Sequence, residues 1–311
     1  MTDIRVSVLD AIGNTPVVRL RKLIDGSCAE VVVKLEYYNP TGSYKDRMAL
    51  AMIEGAEKRG ALKPGMRVIE YTGGSTGSSL AMVCSIKGYP FIALSSDAWS
   101  SEKLRTMRAF GAEVRMFPSE GGKVTPGLIQ TLKAEAERMS AEPGTYYANQ
   151  FNNRDAINGY RGIGTELLAQ VGKIDAFCGG VGTAGMISGV SQALKPSGTR
   201  IIALEPDTSP VLTAGHGGPH RVEGMGVGFL PPHLTPDVYD EARAINEEEA
   251  RAMARRMARE EGIFAGVSSG LNVLAALQVA RELGPGHTVA TVAVDTGLKY
   301  LAGDLFEAPH Q

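Results

Sequence analysis

One lysine, Lys45, lies where a charged amine is disfavoured. Ser43 and Asp46 are spaced as a capping box ahead of an apolar run that starts at Met48, so the pattern predicts a helix with Lys45 in its first turn. The free N–H groups and the dipole of a helix N-terminus oppose a cation and favour the neutral amine. A neutral lysine attacks carbonyl carbons and abstracts protons. The spacing indicates a Schiff-base lysine, although a surface lysine fits this segment taken alone.

A loop of small and hydroxylated residues follows the predicted strand 67–70 and precedes an apolar helix. Its residues are Thr72, Gly73, Gly74, Ser75, Thr76 and Gly77. Backbone N–H groups at such a helix start, flanked by hydroxyls, form a cradle for a carboxylate or a phosphate. A capped turn without any ligand would have the same composition.

A second glycine-rich loop follows the predicted strand 175–178. Gly180, Gly182 and Gly185 match the pattern G-x-G-x-x-G, and Glu205 closes the next predicted strand about 20 residues later. This arrangement is typical of a dinucleotide-binding unit in an NAD-dependent oxidoreductase. The same helix start binds a single phosphate equally well, and a dinucleotide would leave Lys45 and the 72–77 loop unexplained.

Two further glycine-containing segments lie nearer the C-terminus. Gly224, Gly226 and Gly228 alternate with other residues, which allows the backbone to approach a flat ring closely. Ser268 or Ser269 could cap a helix predicted over residues 271–283. Structural turns would explain both segments as well.

Short β-branched runs alternate with amphipathic segments of helical length. The predicted strands are residues 30–35, 67–70, 91–95, 113–117, 145–148, 175–178, 200–204 and 288–295. Such alternation predicts an α/β fold with largely parallel sheets flanked by helices. Ligands in these folds bind at the carboxyl ends of the strands, where the glycine loops lie.

The composition limits the class of protein. The chain has 311 residues, 43% of them hydrophobic, and carries a net charge of −2. Length predicts two lobes, and the charge excludes the basic footprint of a nucleic-acid or anionic-membrane partner. We expect small-molecule partners and, because no apolar span or secretory signal is present, a cytoplasmic location. Cys28, Cys84 and Cys178 are predicted to be reduced core residues.

These motifs resemble, over nearly the whole chain, the cysteine synthase and cystathionine β-synthase family of fold type II pyridoxal-phosphate enzymes, whose fold is like that of the tryptophan synthase β subunit. The similar segments are residues 12–16, 39–47, 72–77, 149–151, 180–185, 224–229 and 266–270. The resemblance implies a large pyridoxal-phosphate-binding lobe of residues 1–42 and 153–311 and a small mobile lobe of residues 43–152 that closes over substrate. It places the cofactor at their interface and implies a homodimer.

The resemblance also implies a role for each motif. Lys45 would form the Schiff base with pyridoxal 5′-phosphate, and Gly224 would approach the cofactor. Ser75 would stand near the cofactor's phenolic oxygen, and Ser268 would face its pyridine nitrogen. The cofactor phosphate would be held by Gly182, Thr183, Ala184, Gly185 and Met186. The substrate carboxylate would be held by Thr72, Gly73, Gly74, Ser75, Thr76 and Gln150.

The implied reaction is β-replacement on an activated L-serine through α-aminoacrylate, with O-acetylserine and sulfide giving L-cysteine. A neutral serine beside the pyridine nitrogen makes the ring a weaker electron sink and favours elimination over transamination. The same site would suit cystathionine β-synthase, S-sulfocysteine synthase, cysteine desulfhydrase or serine dehydratase activity. A NAD-dependent oxidoreductase is the alternative from a different enzyme class.

Some residues depart from the family pattern. Gly73 and Ser75 replace a serine and an asparagine in the 72–77 loop, and Met186 replaces a threonine in the phosphate loop. The segment 96–100 replaces a stretch rich in methionine and proline. The pair His216 and His220 is not expected to bind metal, because Gly217, Gly218 and Pro219 prevent a helix that would present both rings.

Overall fold

The structure is a computed structural model and describes residues 4–123 and 125–307. The strands are β1 (Val17–Arg19), β2 (Glu30–Leu35), β3 (Arg67–Tyr71), β4 (Phe91–Ser96), β5 (Glu113–Phe117), β6 (Thr145–Tyr147), β7 (Ala176–Gly180), β8 (Arg200–Pro206), β9 (Glu241–Ile245) and β10 (Thr288–Ala293). The α-helices are α1 (Lys45–Lys58), α2 (Ser75–Lys87), α3 (Ser101–Ala109), α4 (Pro126–Ser140), α5 (Asp155–Val171), α6 (Gly185–Leu194), α7 (Val211–Ala214), α8 (Glu247–Arg256) and α9 (Val267–Leu283). Short 3₁₀ helices cover Val8–Ala11, Glu36–Tyr38, Lys195–Ser197, Gly297–Tyr300 and Asp304–Phe306, and a π-helical turn covers Met257–Glu261.

The chain divides into two compact units. The first unit contains Lys45–Gly159 together with the N-terminal residues up to Ile12, and the second contains Gly13–Tyr44 and the chain from Tyr160 onward. The predicted boundaries were 42/43 and 152/153, whereas the observed ones lie at 12/13, at 44/45 and, within α5, at 159/160. The residues before Gly13 were predicted in the large lobe but belong to the first unit. That the first unit moves to close over substrate stays a prediction.

The first unit is built on a four-stranded parallel sheet in the order β5-β4-β3-β6. Ile69 and Leu94 are wholly buried in it, and α4 covers their face with Leu132 and Met139. Helices α1 and α2 pack against each other, and α2 also packs against β3 and β4. The loops after β3, β4 and β6 therefore emerge at one edge of the sheet, because neighbouring parallel strands end on the same side.

The second unit is built on a six-stranded sheet in the order β1-β2-β10-β7-β8-β9. All neighbours are parallel except β1 and β2, which pair antiparallel. The long helix α9 is buried along most of its length, and its residues Leu271 and Ala275 pack into the same core as Val31 and Val289. This sheet holds the second glycine loop at the end of β7.

The predicted α/β class and the eight predicted strands are confirmed, with ends that differ by a few residues. Two strands were not predicted: β1 is only three residues long, and β9 alternates charged side chains such as Glu241 and Arg243 with apolar ones. Both are edge strands, where charged residues are tolerated and the hydrophobic signal is weak.

The prediction for the cysteines is correct for two of the three. Cys84 and Cys178 are buried, and burial raises the pKa of both thiols, that of Cys178 to about 12. Cys28 is not a core residue, because its side chain is partly exposed and its sulfur lies 3.5 Å from Asp25 Oδ1. All three thiols are free of disulfides.

Candidate active site

Lys45 is the first residue of α1, and Asp46 follows it in the first turn. The predicted place of Lys45 at a helix N-terminus is thus observed, and the capping role of Ser43 stays a prediction. Ser43, two residues before the helix, pairs through its backbone with Asp295 in an isolated β-bridge. The free N–H groups of this helix start still oppose a positive charge on Lys45.

The loop after β3 turns directly into α2. Gly74 is the N-cap residue, and its N–H donates to Thr72 Oγ1 at 3.3 Å. Ser75 and Thr76 lie in the first turn of α2, where backbone N–H groups have no partner within the helix. This loop presents amides and hydroxyls that suit a carboxylate.

Gln150 joins this loop through its side chain. Thr76 Oγ1 donates to Gln150 Oε1 at 2.8 Å, and both residues are buried. The preceding residue, Asn149, has a left-handed backbone with φ of 51°, which asparagine tolerates better than most residues. The bend at Asn149 directs Gln150 toward the start of α2. Two residues predicted for one substrate site therefore meet in the first unit.

Glu70 is a site residue that the sequence analysis missed. Its side chain is wholly buried at the end of β3, and its Oε2 accepts from the Gln150 N–H at 3.0 Å. The other oxygen, Oε1, is buried without a hydrogen-bond partner among the described residues. Desolvation raises the pKa of Glu70 to about 8, and bonds from the backbone and the charge of Lys45 only partly oppose this. An acidic residue in an apolar strand, directly before the loop, was the available signal.

The glycine loop after β7 leads into α6, which begins at Gly185 with Ala184 as its N-cap residue. Ala184 has a left-handed backbone with φ of 66°. A Cβ atom added to Gly182 would overlap the carbonyl oxygen of Gly224, so the predicted phosphate loop and the 224–228 segment lie in direct contact. The first amides of α6, including that of Met186, point out of the helix start. This cradle fits a phosphate group.

Further hydrogen bonds connect these loops to each other and to α9. The Gly226 N–H donates to Val181 O at 3.0 Å, and the Gly180 N–H donates to Asn272 Oδ1 at 2.9 Å. Ser268 lies in the first turn of the same helix and is buried. Its hydroxyl has no protein partner within the described part of the chain, which leaves it available to a ligand.

The predicted serine cap of this last helix is wrong. Gly266 is the N-cap residue of α9, so Ser268 and Ser269 lie inside the first turn. Ser269 Oγ instead accepts from the Val294 N–H at 2.9 Å. The helix starts earlier than predicted because Val267 is buried and belongs to its apolar face.

The second unit gives no support to a dinucleotide site. The carboxylate of Glu205 is buried and accepts from the N–H groups of Leu212 at 2.7 Å and Thr213 at 2.8 Å. It therefore stabilises the start of α7 and is not available to a ribose. His220 Nε2 lies 2.8 Å from Gly226 O, and its Nδ1 accepts from the Val222 N–H. No cluster of metal-ligating residues occurs among residues 4–123 and 125–307.

Comparison with known proteins decides the family. A family model described as pyridoxal-phosphate dependent enzyme matches residues 8–295. The chain belongs to this family. Its members use pyridoxal 5′-phosphate, and the helix start of α6 beside Gly224, with its free N–H groups, and the available hydroxyl of Ser268 fit a phosphorylated ring.

Proteins similar to this pyridoxal-phosphate enzyme include cysteine synthases and a related synthase. A cysteine synthase of Staphylococcus aureus is 44% identical over 305 residues, which are 96% of each chain. The crystal structure of a cysteine synthase from Entamoeba histolytica has a TM-score of 0.92 at 34% identity and covers 100% of this chain and 93% of that one. An O-ureido-L-serine synthase has a TM-score of 0.91 at 37% identity, with 99% and 97% covered. These similarities confirm the predicted fold type II architecture and a cysteine synthase-like enzyme.

Proposed function

We propose that this enzyme makes L-cysteine from O-acetyl-L-serine and sulfide. In this β-replacement the Cβ–O bond breaks, acetate leaves and a Cβ–S bond forms. The observation that carries the proposal is the arrangement of the first unit, where a lysine at a helix start accompanies an amide-rich loop joined to Gln150. The 44% identity to a cysteine synthase along almost the whole chain supports the same activity.

Pyridoxal 5′-phosphate, when bound, supplies an aldehyde for the amino group of the substrate and an electron-withdrawing ring. We assign Lys45 as the residue that binds its aldehyde carbon. The amides and hydroxyl of residues 182–186 would hold its phosphate, Gly224 would approach the ring, and Ser268 would face the pyridine nitrogen. Ser75 would take the place of the asparagine near the phenolic oxygen.

Side chains and backbone amides of the enzyme then move the Cα proton of the substrate and bind its carboxylate. The amine of Lys45 removes the Cα proton of the substrate and returns it after the nucleophile has added. The carboxylate is held by the amides and hydroxyls of residues 72–76 and by Gln150. The neutral hydroxyl of Ser268 cannot stabilise a protonated ring as a carboxylate would, so departure of the β-substituent is favoured over transamination.

The test is an absorbance spectrum of the purified holoenzyme. O-acetyl-L-serine should change the visible band of the cofactor, and sulfide should restore it while L-cysteine accumulates. Lys45→Ala should lose at least about a thousandfold in turnover, since it lacks the amine that moves the proton. Lys58→Ala, in the last turn of the same helix, is the matched control and should keep normal turnover.

The choice of nucleophile and leaving group is tested in the same assay. Thiosulfate, homocysteine and hydrogen sulfide are offered in turn, and pyruvate is measured without a nucleophile. Pyruvate from cysteine or serine at a rate above replacement would assign a lyase instead. A cofactor band that O-acetylserine leaves unchanged would refute the proposed first substrate.

We also propose a homodimer in the cytoplasm. Ile4 and Val6 are 91% and 98% exposed, and a second copy of the chain would cover these two apolar side chains. No described helix is long and apolar enough to span a membrane. Light scattering of the pure protein tests the dimer, and Ile4→Ser with Val6→Ser should weaken it.

A further inference from the structure

Trp99 lies against Gly73 in the predicted substrate loop. A Cβ atom added to Gly73 would overlap the Cγ, Cδ2 and Cε2 atoms of the indole. The next glycine is different, because a Cβ atom on Gly74 would meet nothing within 4 Å. The indole therefore occupies the volume that a side chain at position 73 would fill. It leaves the space beside position 74 open.

The indole is held in place from two sides. Trp99 packs against the core of the first unit, which includes Tyr71 and Leu94. The turn that carries it is fixed by Ser96, whose O accepts from the Trp99 N–H at 3.4 Å and whose Oγ donates to Asp97 Oδ1 at 3.0 Å. The same carboxylate accepts from the Ser119 N–H at 2.9 Å. The contact with Gly73 thus belongs to a built part of the fold.

A second aromatic contact lies next to Gln150. Phe151, the residue after Gln150, stacks on Tyr71 with ring centres 6.1 Å apart and planes at 8°. Trp99 and Phe151 both pack on the core that contains Tyr71. The loop at Gly73 and the segment of Gln150 are therefore each bordered by an aromatic ring, while Glu70 Oε2 accepts from the Gln150 N–H.

The sequence departures at position 73 and in segment 96–100 are consequently linked, because the two positions share one volume. A serine at 73 would need the indole to move, and a smaller residue at 99 would leave a gap beside Gly73. The hydroxyl that a serine would offer to the substrate is replaced by an apolar surface. The backbone N–H groups of the loop stay available to the carboxylate.

We propose that Trp99 is a specificity-determining residue of the amino-acid site, with its indole on Gly73 forming a wall that restricts the substrate to a small β-substituent. The effect of Trp99 on substrate choice rests on the proposed β-replacement activity, whereas its contact with Gly73 does not. An acetyl ester is small and uncharged, which suits an apolar wall. A succinyl ester is longer and carries a carboxylate, which an indole cannot stabilise.

The contact itself is tested without any turnover. Gly73→Ser should lower the melting temperature of the holoenzyme by about 5 °C, because the core must move to admit one side chain. Gly74→Ser is the matched control and should shift it by less than about 1 °C. In a Trp99→Ala background the effect of Gly73→Ser should largely vanish. Equal shifts in both backgrounds would overturn the contact.

The specificity is tested with O-acetyl-L-serine and O-succinyl-L-serine as first substrates. Trp99→Ala and the milder Trp99→Phe should raise the relative kcat/KM for the succinyl ester, by about tenfold for the alanine variant. The change in this ratio should lie mainly in KM for the succinyl ester. An unchanged ratio in both variants would refute the role of Trp99 in specificity.

Failure of the proposed function would look different. A wild-type enzyme that turns over neither ester, yet shows the coupled melting temperatures, would refute β-replacement on serine esters while the contact stands. Turnover of the acetyl ester without coupling would refute the contact while β-replacement stands. The two measurements therefore separate the two claims.

Discussion

Replacing Glu70 with glutamine should remove most of the pH dependence of the stability of the first unit between about pH 5 and pH 8. Glu70 is wholly buried, one of its oxygens has no hydrogen-bond partner among the described residues, and desolvation raises its pKa to about 8. Glutamine has the same shape and stays neutral. Its amide oxygen can still accept from the N–H of Gln150.

The magnitude follows from the difference between the folded and unfolded pKa. The ordinary value is 4.5 and the folded value is about 8, so the folded state binds the proton more tightly. The stabilising contribution of the neutral carboxyl is full below the ordinary pKa, decreases as the pH rises toward 8, and is lost above it. At about 1.4 kcal/mol per pH unit, the total change is on the order of 3 to 5 kcal/mol.

The surroundings of Glu70 support this sign. Lys45 is the cation whose charge lowers the pKa of Glu70, but it follows desolvation and the backbone bonds in size. Tyr71 and Tyr147 are the nearby phenols, and the pKa of each is raised by burial, so both stay neutral below pH 8. Lys45→Ala should therefore raise the pKa of Glu70 further.

The assay is urea unfolding followed by the fluorescence of Trp99. This residue is the single tryptophan of the chain and lies in the same unit as Glu70. Wild type should lose stability from about pH 5.5 to about pH 8, whereas Glu70→Gln should change little. Glu137→Gln, which removes an exposed carboxylate of the same unit, is the matched control. Parallel pH profiles of wild type and Glu70→Gln would refute the reasoning.

Three further substitutions give separate expectations. Thr76→Val leaves the buried Gln150 oxygen without its donor and should raise KM for O-acetylserine about tenfold in steady-state kinetics, with normal cofactor absorbance. Gly182→Ala places a Cβ atom on Gly224 O and should weaken pyridoxal-phosphate binding at least about tenfold in an absorbance titration. Ala184→Gly relieves a left-handed backbone and should raise the free energy of unfolding by about 0.5 to 1 kcal/mol in urea; no gain would contradict the strain.

Much of the fold could be predicted because its signals are local. The apolar runs of β2, β4 and β10 stand between clear turn residues, and Gly88 ends α2 in the left-handed conformation that favours glycine. The helix starts were less predictable. Ser269 has the residue type of a cap, but its Oγ accepts from the Val294 N–H instead.

The sequence by itself determined the α/β class, the lysine at a helix start and the glycine loops after strands, because each depends on residue types at short spacing. Tertiary structure alone decided that Thr76 meets Gln150, that Glu70 is a buried acid beside them, and that Trp99 rests on Gly73. These residues are distant along the chain and meet because three neighbouring parallel strands end at one edge of a sheet. Burial then sets the protonation of Glu70, a property that no local pattern contains.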